Sequence, residues 1–203
     1  MNTFKTLIFM ALLSSSSLLA NNLSFSSVGL ALGTSYNDYK KTNHQGSITL
    51  GNTPDKDFRT YELYATLNPV LALSKKYNMK PYLSYTYSKN DDFKNQYLLL
   101  GMNKYYSHKV LDLYAGLVLG YGQLNWKYDP VNNAKNTNVD ANSFISGLQL
   151  GLDYPLDTKF SFSVNTKYLL HNYKTKLDPF DGVSSSIEHT STLSLSLGFK
   201  YSF

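Results

Sequence analysis

The chain has 203 residues, a formal net charge of +5, and 18 Tyr, 11 Phe and 1 Trp but no cysteine. Charged residues make up only 16% and hydrophobic residues 42%, so Ser, Thr, Asn and Tyr fill the gap. The zero cysteine count excludes disulfides, thiolate metal sites and a lipoprotein anchor, the aromatic content argues against disorder, and the length suits one domain or two small ones.

The chain opens with a short positive segment ending at Lys5, followed by the apolar stretch TLIFMALLSSSSLLA at 6–20. That stretch is too short, and too polar at its serines, to cross a bilayer as a helix. It reads as a secretory signal peptide over residues 1–20, cleaved after Ala20, although Leu18 at the −3 position is larger than usual. Residues 21–203 then form the mature domain. No later apolar run is long enough for a membrane helix, so an exported product is soluble, peripheral or a β-barrel.

From residue 28 onward the pattern has period two. Leu30 and Leu32 alternate with Ala31 and Gly33. Tyr61, Leu63 and Ala65 alternate with Glu62, Tyr64 and Thr66. The pattern returns around Leu83–Tyr87, Leu98–Met102, Leu111–Leu119, Leu148–Leu152 and Phe160–Leu170. It is strictest at the end, where Leu193, Leu195, Leu197, Phe199, Tyr201 and Phe203 alternate with small or polar residues. Such alternation makes two-faced strands and no amphipathic helix. Eight strands result, each near the length a tilted strand needs to cross a membrane. Polar segments at 40–57, 88–95, 127–142 and 174–189 alternate with short ones at 74–79, 104–109 and 154–158, the arrangement of external loops and periplasmic turns. Pro69 cannot donate to a ladder and so marks either a weak point of the second strand or the start of its turn. The stretch 47–51 could prolong a hairpin above the membrane.

A soluble barrel puts its apolar face inside and its charges outside. Here the second face is Gly, Ser, Thr, Asn, Ala and Tyr, which suits a narrow lumen, while the first is almost unbroken Leu, Val, Phe and Tyr, which suits lipid. Tyr36, Tyr39, Tyr106, Trp126, Tyr128, Tyr154 and Tyr173 are expected as interfacial girdles. The expected fold is all-β: an eight-stranded antiparallel up-and-down transmembrane β-barrel in the bacterial outer membrane.

Ser196, Gly198, Tyr201 and Phe203 resemble the C-terminal assembly signal of bacterial outer-membrane proteins, with two aromatics two apart and a terminal Phe. The resemblance implies recognition by the barrel-assembly machinery. In size and pattern, residues 27–203 are similar to the small eight-stranded OmpA/OmpX-type barrels of the broad outer-membrane β-barrel family. No motif points to a subfamily.

The sequence pI of about 9.1 could suggest nucleic acid, but the charge distribution argues otherwise. Loop lysines are balanced by loop Asp and Glu residues, and the basic excess falls in the periplasmic turns, at Lys75, Lys76, Lys80, Lys104, Lys109 and Lys159 against Asp157. Those turns would face anionic headgroups. Eight strands enclose a space that side chains can fill, and Tyr64, Tyr97 and Tyr114 opposite glycines would fill it. Two lumenal ion clusters are expected: Asp112, Asp153 and Lys200 near the periplasmic end, and Arg59, Glu62, Lys167 and His171 toward the outside. Buried charges must be paired, so these clusters read as plugs; a narrow passive channel is the alternative.

His189, Thr190 and Ser191 resemble the His-x-Ser pair of the outer-membrane lipid A deacylases, also eight-stranded barrels, in which histidine activates an outward serine and a carboxylate orients the histidine. His189 and Ser191 share the outward parity of Leu193, but residues 192–203 contain no Asp or Glu and Glu188 has the opposite parity. The pair therefore supports only an alternative reading as an acyl hydrolase. His44, His108, His171 and His189 are scattered without metal-ligand spacing. The sequence thus points to a non-enzymatic barrel with a structural or surface-interaction role and with no cofactor, metal or catalytic site. Its expected partners are outer-membrane lipids and the assembly machinery, with no nucleic acid, an unnamed surface ligand and a monomeric state.

Overall fold

The computed structural model describes residues 24–44, 57–69, 75–91, 93–126, 140–180 and 183–203. Eight strands follow one another: β1 (Phe25–His44), β2 (Asp57–Leu67), β3 (Met79–Lys89), β4 (Phe93–His108), β5 (Leu111–Trp126), β6 (Asp140–Pro155), β7 (Phe160–Phe180) and β8 (Val183–Ser202). Each pairs antiparallel with the next, and β8 returns to β1, closing the barrel. Closure satisfies the strand edges internally, which a hydrocarbon environment demands. The signal-peptide segment, Tyr128 and the 47–51 stretch lie outside the described residues.

The two faces separate as their alternation requires. Leu30, Leu32, Leu100, Leu119, Leu148, Leu150, Leu195 and Phe199 point outward and are exposed, with Leu117 at 65% and Phe144 at 83%. A continuous apolar surface of this extent marks a membrane contact. The opposite face is buried and holds Ser27, Ser35, Thr60, Ser84, Thr86, Asn103, Gln149, Ser163, Ser194 and Ser196. Among the described residues no helix is long and apolar enough to span a membrane; the strands do the crossing.

Element ends differ from the sequence reading in several places: β1 runs on to His44, β3 to Lys89, and β4 and β6 already begin at Phe93 and Asp140, all inside segments read as loops, so that Lys89 pairs with Lys94 in the ladder. The 104–109 segment is not a turn: β4 runs on to His108, and Lys109 with φ 53° leads a tight turn into Leu111. Positive φ is what short hairpin connections require. The polar segment 174–189 is not a loop: it forms the upper part of a β7–β8 hairpin, with Lys174 opposite Glu188 and Phe180 opposite Val183. β8 also continues up β1, as far as His44 opposite Ser184. Polar strands persist here because above the membrane neither face needs to be apolar. Pro69 follows the end of β2 and thus takes no part in the ladder. At the β6–β7 turn, Asp157 accepts backbone hydrogen bonds from Lys159 (2.6 Å) and Phe160 (2.7 Å), which hold its carboxyl below the ordinary range.

Candidate functional site

The lumen is the one interior this fold creates, and three layers of side chains fill it. The lowest is built on Asp153 and Lys200, which form a buried ion pair between β6 and β8. Ser163 donates to the second Asp153 oxygen at 2.6 Å. The Lys200 ammonium also lies 5.9 Å from the centre of the Tyr105 ring, and Lys80 4.9 Å from the same ring. Tyr105 packs on Tyr114 at 5.2 Å. Asp112 sits opposite Asp153 in the β5–β6 register and is half-buried at the mouth.

The middle layer is built on Glu62 and Lys167, carried by β2 and β7 and joined in an ion pair with both side chains 2% exposed. Two strands, β1 and β8, separate them around the wall, so the pair crosses the lumen. The Tyr82 hydroxyl donates to the same carboxylate, and its ring lies 5.4 Å from the Lys167 ammonium. Gln149 of β6 donates to Asn103 of β4 in the same interior. Charge, aromatic face and hydroxyl together replace the water that each ion has lost. Glycine makes room for the rings: a Cβ at Gly29 would fall on Tyr64, and one at Gly151 would fall on Tyr114.

The upper layer is aromatic. Phe93 meets Phe58 at 4.7 Å, Trp126 at 4.7 Å and Tyr39 at 5.6 Å. Trp126 of β5 donates to Thr175 of β7 at 3.1 Å, over the intervening β6. Tyr173 and Tyr39 flank His189, and the His171 and His189 rings meet edge to face at 4.3 Å. Asn37 accepts from Thr192 at 2.6 Å and lies 2.9 Å from His189 Nε2, while His171 Nε2 lies 2.9 Å from Thr192.

Several expected positions are corrected by this geometry. Arg59 is exposed on the outer face, because it shares the parity of Tyr61 and Leu63; it belongs to no lumenal cluster. His171 is lumenal, but its partners are His189 and Thr192 rather than Glu62. Tyr39, Trp126 and Tyr173 are not girdle residues: they point inward and form the aromatic cap, whereas Tyr36, Tyr106 and Tyr154 are exposed outside. The shared outward face of His189 and Ser191 is also lost. β8 carries a bulge at this level, where Asp38 pairs with Ser191 and the next residue, Tyr39, pairs with His189. The extra residue turns His189 into the lumen, 1% exposed, and leaves Ser191 opposite the exposed Asp38 and Leu170. Histidine and serine therefore stand on opposite sides of the wall, which leaves the serine without its base. Among the described residues no group of three metal-ligating side chains occurs.

At the C-terminus, Gly198 faces Ala31 so closely that a Cβ there would come within 2.7 Å of the Ala31 Cβ. Tyr201 packs on Phe160 at 5.2 Å and on Phe203 at 5.3 Å, and the Phe203 amide donates to Ser26. Phe203 itself is 73% exposed. It thus adds little to the fold while remaining open to recognition. Replacing Phe203 by Ala is expected to lower outer-membrane levels while costing the assembled barrel no more than the one ring contact with Tyr201, about 1 kcal/mol. Cell fractionation measures the first and urea unfolding of refolded protein the second; unchanged membrane levels would remove the assembly role.

No protein-family model matches the sequence, and no curated protein does. Solved structures do. The crystal structure of Neisserial surface protein A (NspA) superposes with a TM-score of 0.60 at 13% identity, covering 90% of this chain and 100% of that one. AlkL in lipid bilayers gives 0.45 at 16% identity, covering 89% and 92%. Ail of Yersinia pestis, in complex with the heparin analogue sucrose octasulfate, gives 0.39 at 13% identity, covering 86% and 97%. With closed eight-stranded topology, an apolar outer band and agreement over the whole of NspA, the chain has the fold of the small bacterial outer-membrane β-barrels.

Proposed function

We propose that the protein is a non-catalytic barrel of the bacterial outer membrane, exported by residues 1–20, that acts structurally or through its external face and passes no solute. The filled lumen carries this reading. The ion pair Glu62–Lys167 crosses it, the pair Asp153–Lys200 occupies a second level, and the aromatic cap closes it above. A channel needs continuous water, and eight strands leave little width beyond what these side chains occupy. The β7–β8 hairpin and its neighbour β1 rise above the apolar band and present polar strands where a surface partner would meet them. NspA, which shares the fold, is named as a surface protein. The separation of His189 from Ser191 speaks against the acyl-hydrolase alternative.

Planar-bilayer recording of the purified monomer is the test. No stable, porin-sized conductance steps are expected. Frequent steps of that size would favour the channel reading. A deletion strain assayed for envelope permeability and for surface adhesion then separates a structural role from a binding role.

A further inference from the structure

We propose that the outer wall of β2, β3 and β4 binds the phosphate of an outer-leaflet lipid, through a row formed by Arg59, Lys89 and Lys94. The register sets Arg59 directly opposite Lys89, and Lys89 directly opposite Lys94. All three are exposed and share the outward parity of the apolar band. Among the described residues none of them is in an ion pair. Like charges placed directly across a ladder are destabilising, so folding alone gives no reason for three in succession. An anion held between them supplies one.

The rows beneath state which anion. Under the cations lies the row Tyr61, Tyr87 and Gln96, and under that the row Leu63, Tyr85 and Leu98. Tyr61 and Tyr87 are neighbours at 6.3 Å, and the Tyr85 hydroxyl donates to Gln96 at 2.9 Å. Reading downward, the wall passes from cation to amphipathic aromatic to aliphatic over four residues of each strand. That is the sequence of layers from headgroup to hydrocarbon. The cations therefore stand at the depth of lipid phosphates, rather than out in solution.

Shape agrees at both levels. A cleft of about 430 Å³ opens beside Arg59 and Lys89, bounded also by Thr34, Asn90, Asp57 and Asp91. The two carboxylates lie on its solvent side: Asp57 is two residues above Arg59, and Asp91 is in the hairpin tip. They repel anions arriving from solution and leave the approach along the wall open. Two outward positions below Lys94, Leu98 begins an apolar groove of about 830 Å³, walled by Leu100, Leu117, Leu119, Tyr121 and Phe144. A phosphorylated lipid fits both: phosphate on the row, acyl chain in the groove. The neighbouring strand continues the level with Asn125, whose amide already donates to Asp140, so the cationic row ends at β4.

The inference rests on the barrel standing in a membrane, which heat-modifiable migration in detergent gels checks by itself. The full chain, refolded in phosphatidylcholine nanodiscs and shown to be heat-modifiable, is titrated with lipid A carrying both phosphates and with the same lipid after phosphatase treatment. Saturable binding of the first and much weaker binding of the second are expected. The triple variant Arg59→Gln, Lys89→Gln, Lys94→Gln should bind phosphorylated lipid A at least about tenfold more weakly. Lys75→Gln, Lys76→Gln, Lys109→Gln, which removes three cations at the other end, should bind as the parent does. Raised NaCl should weaken binding by the unmutated protein, a readout that needs no variant to fold. Equal binding by the row variant and its parent would overturn the proposal. So would salt-independent binding, or displacement by inorganic phosphate at the concentration of the lipid.

Discussion

Glu62→Gln is expected to destabilise the folded barrel by about 3–5 kcal/mol, because removing one member of a buried ion pair strands the other. Lys167 is 2% exposed and has Glu62 as its ion-pair partner, with the Tyr82 ring beside it. Glutamine preserves the volume and can still accept from Tyr82, so the loss isolates the charge. The companion change Lys167→Met should recover most of it in the double variant, since an apolar residue needs no counter-ion. Urea unfolding of protein refolded into lipid vesicles, carried through the full double-mutant cycle, reads both effects. A loss below about 1 kcal/mol for Glu62→Gln would mean that water reaches the pair. The lumen would then be wetter than a plug allows.

Leu117→Arg is expected to cost about 2–4 kcal/mol, the cost of a cation at the middle of the lipid-facing band. Leu117 is 65% exposed, with Met102 and Leu148 in register on either side. In a water-soluble barrel the same change would be nearly free. Val110→Arg, the same chemistry at a 64% exposed residue in the periplasmic turn, should cost no more than about 1 kcal/mol. The same vesicle unfolding assay compares the two. Equal tolerance at both positions would place the apolar band in water and undo the membrane assignment.

The fold was legible because period-two alternation is a direct record of a two-sided wall, and eight segments carried it. The strand faces followed from it, down to Tyr64, Tyr97 and Tyr114 on the inside. That Asp153, Lys200, Glu62 and Lys167 lie inside was legible for the same reason, as charges on inward parity. Which of them form ion pairs was not, since that depends on which residues meet in the lumen. Arg59, Tyr39, Trp126 and Tyr173 were misplaced although parity alone locates them. Counting from Tyr121 puts Trp126 inside, and counting from Leu170 puts Tyr173 inside. An arginine can equally serve as an internal counter-ion and an aromatic as a girdle residue, so residue type alone does not locate them. His189 is a different kind of miss. Its parity from Leu193 is outward, and only a bulge reverses it. A bulge is set by how β8 fits β1, and no residue type in the stretch from Glu188 to Thr192 announces it.

That bulge divides β8 into two independent texts. Below it, the alternation from Thr192 to Ser202 is held by lipid on one side and the packed lumen on the other, and it ends in the residues that assembly machinery would read. Above it, the choice of which side chains turn inward starts afresh. Substitutions or length changes in the β7–β8 tip can therefore recast the exposed surface without shifting the frame of the membrane segment. A barrel whose outer part is under pressure to vary could do so here and still deliver the same C-terminal strand to the membrane.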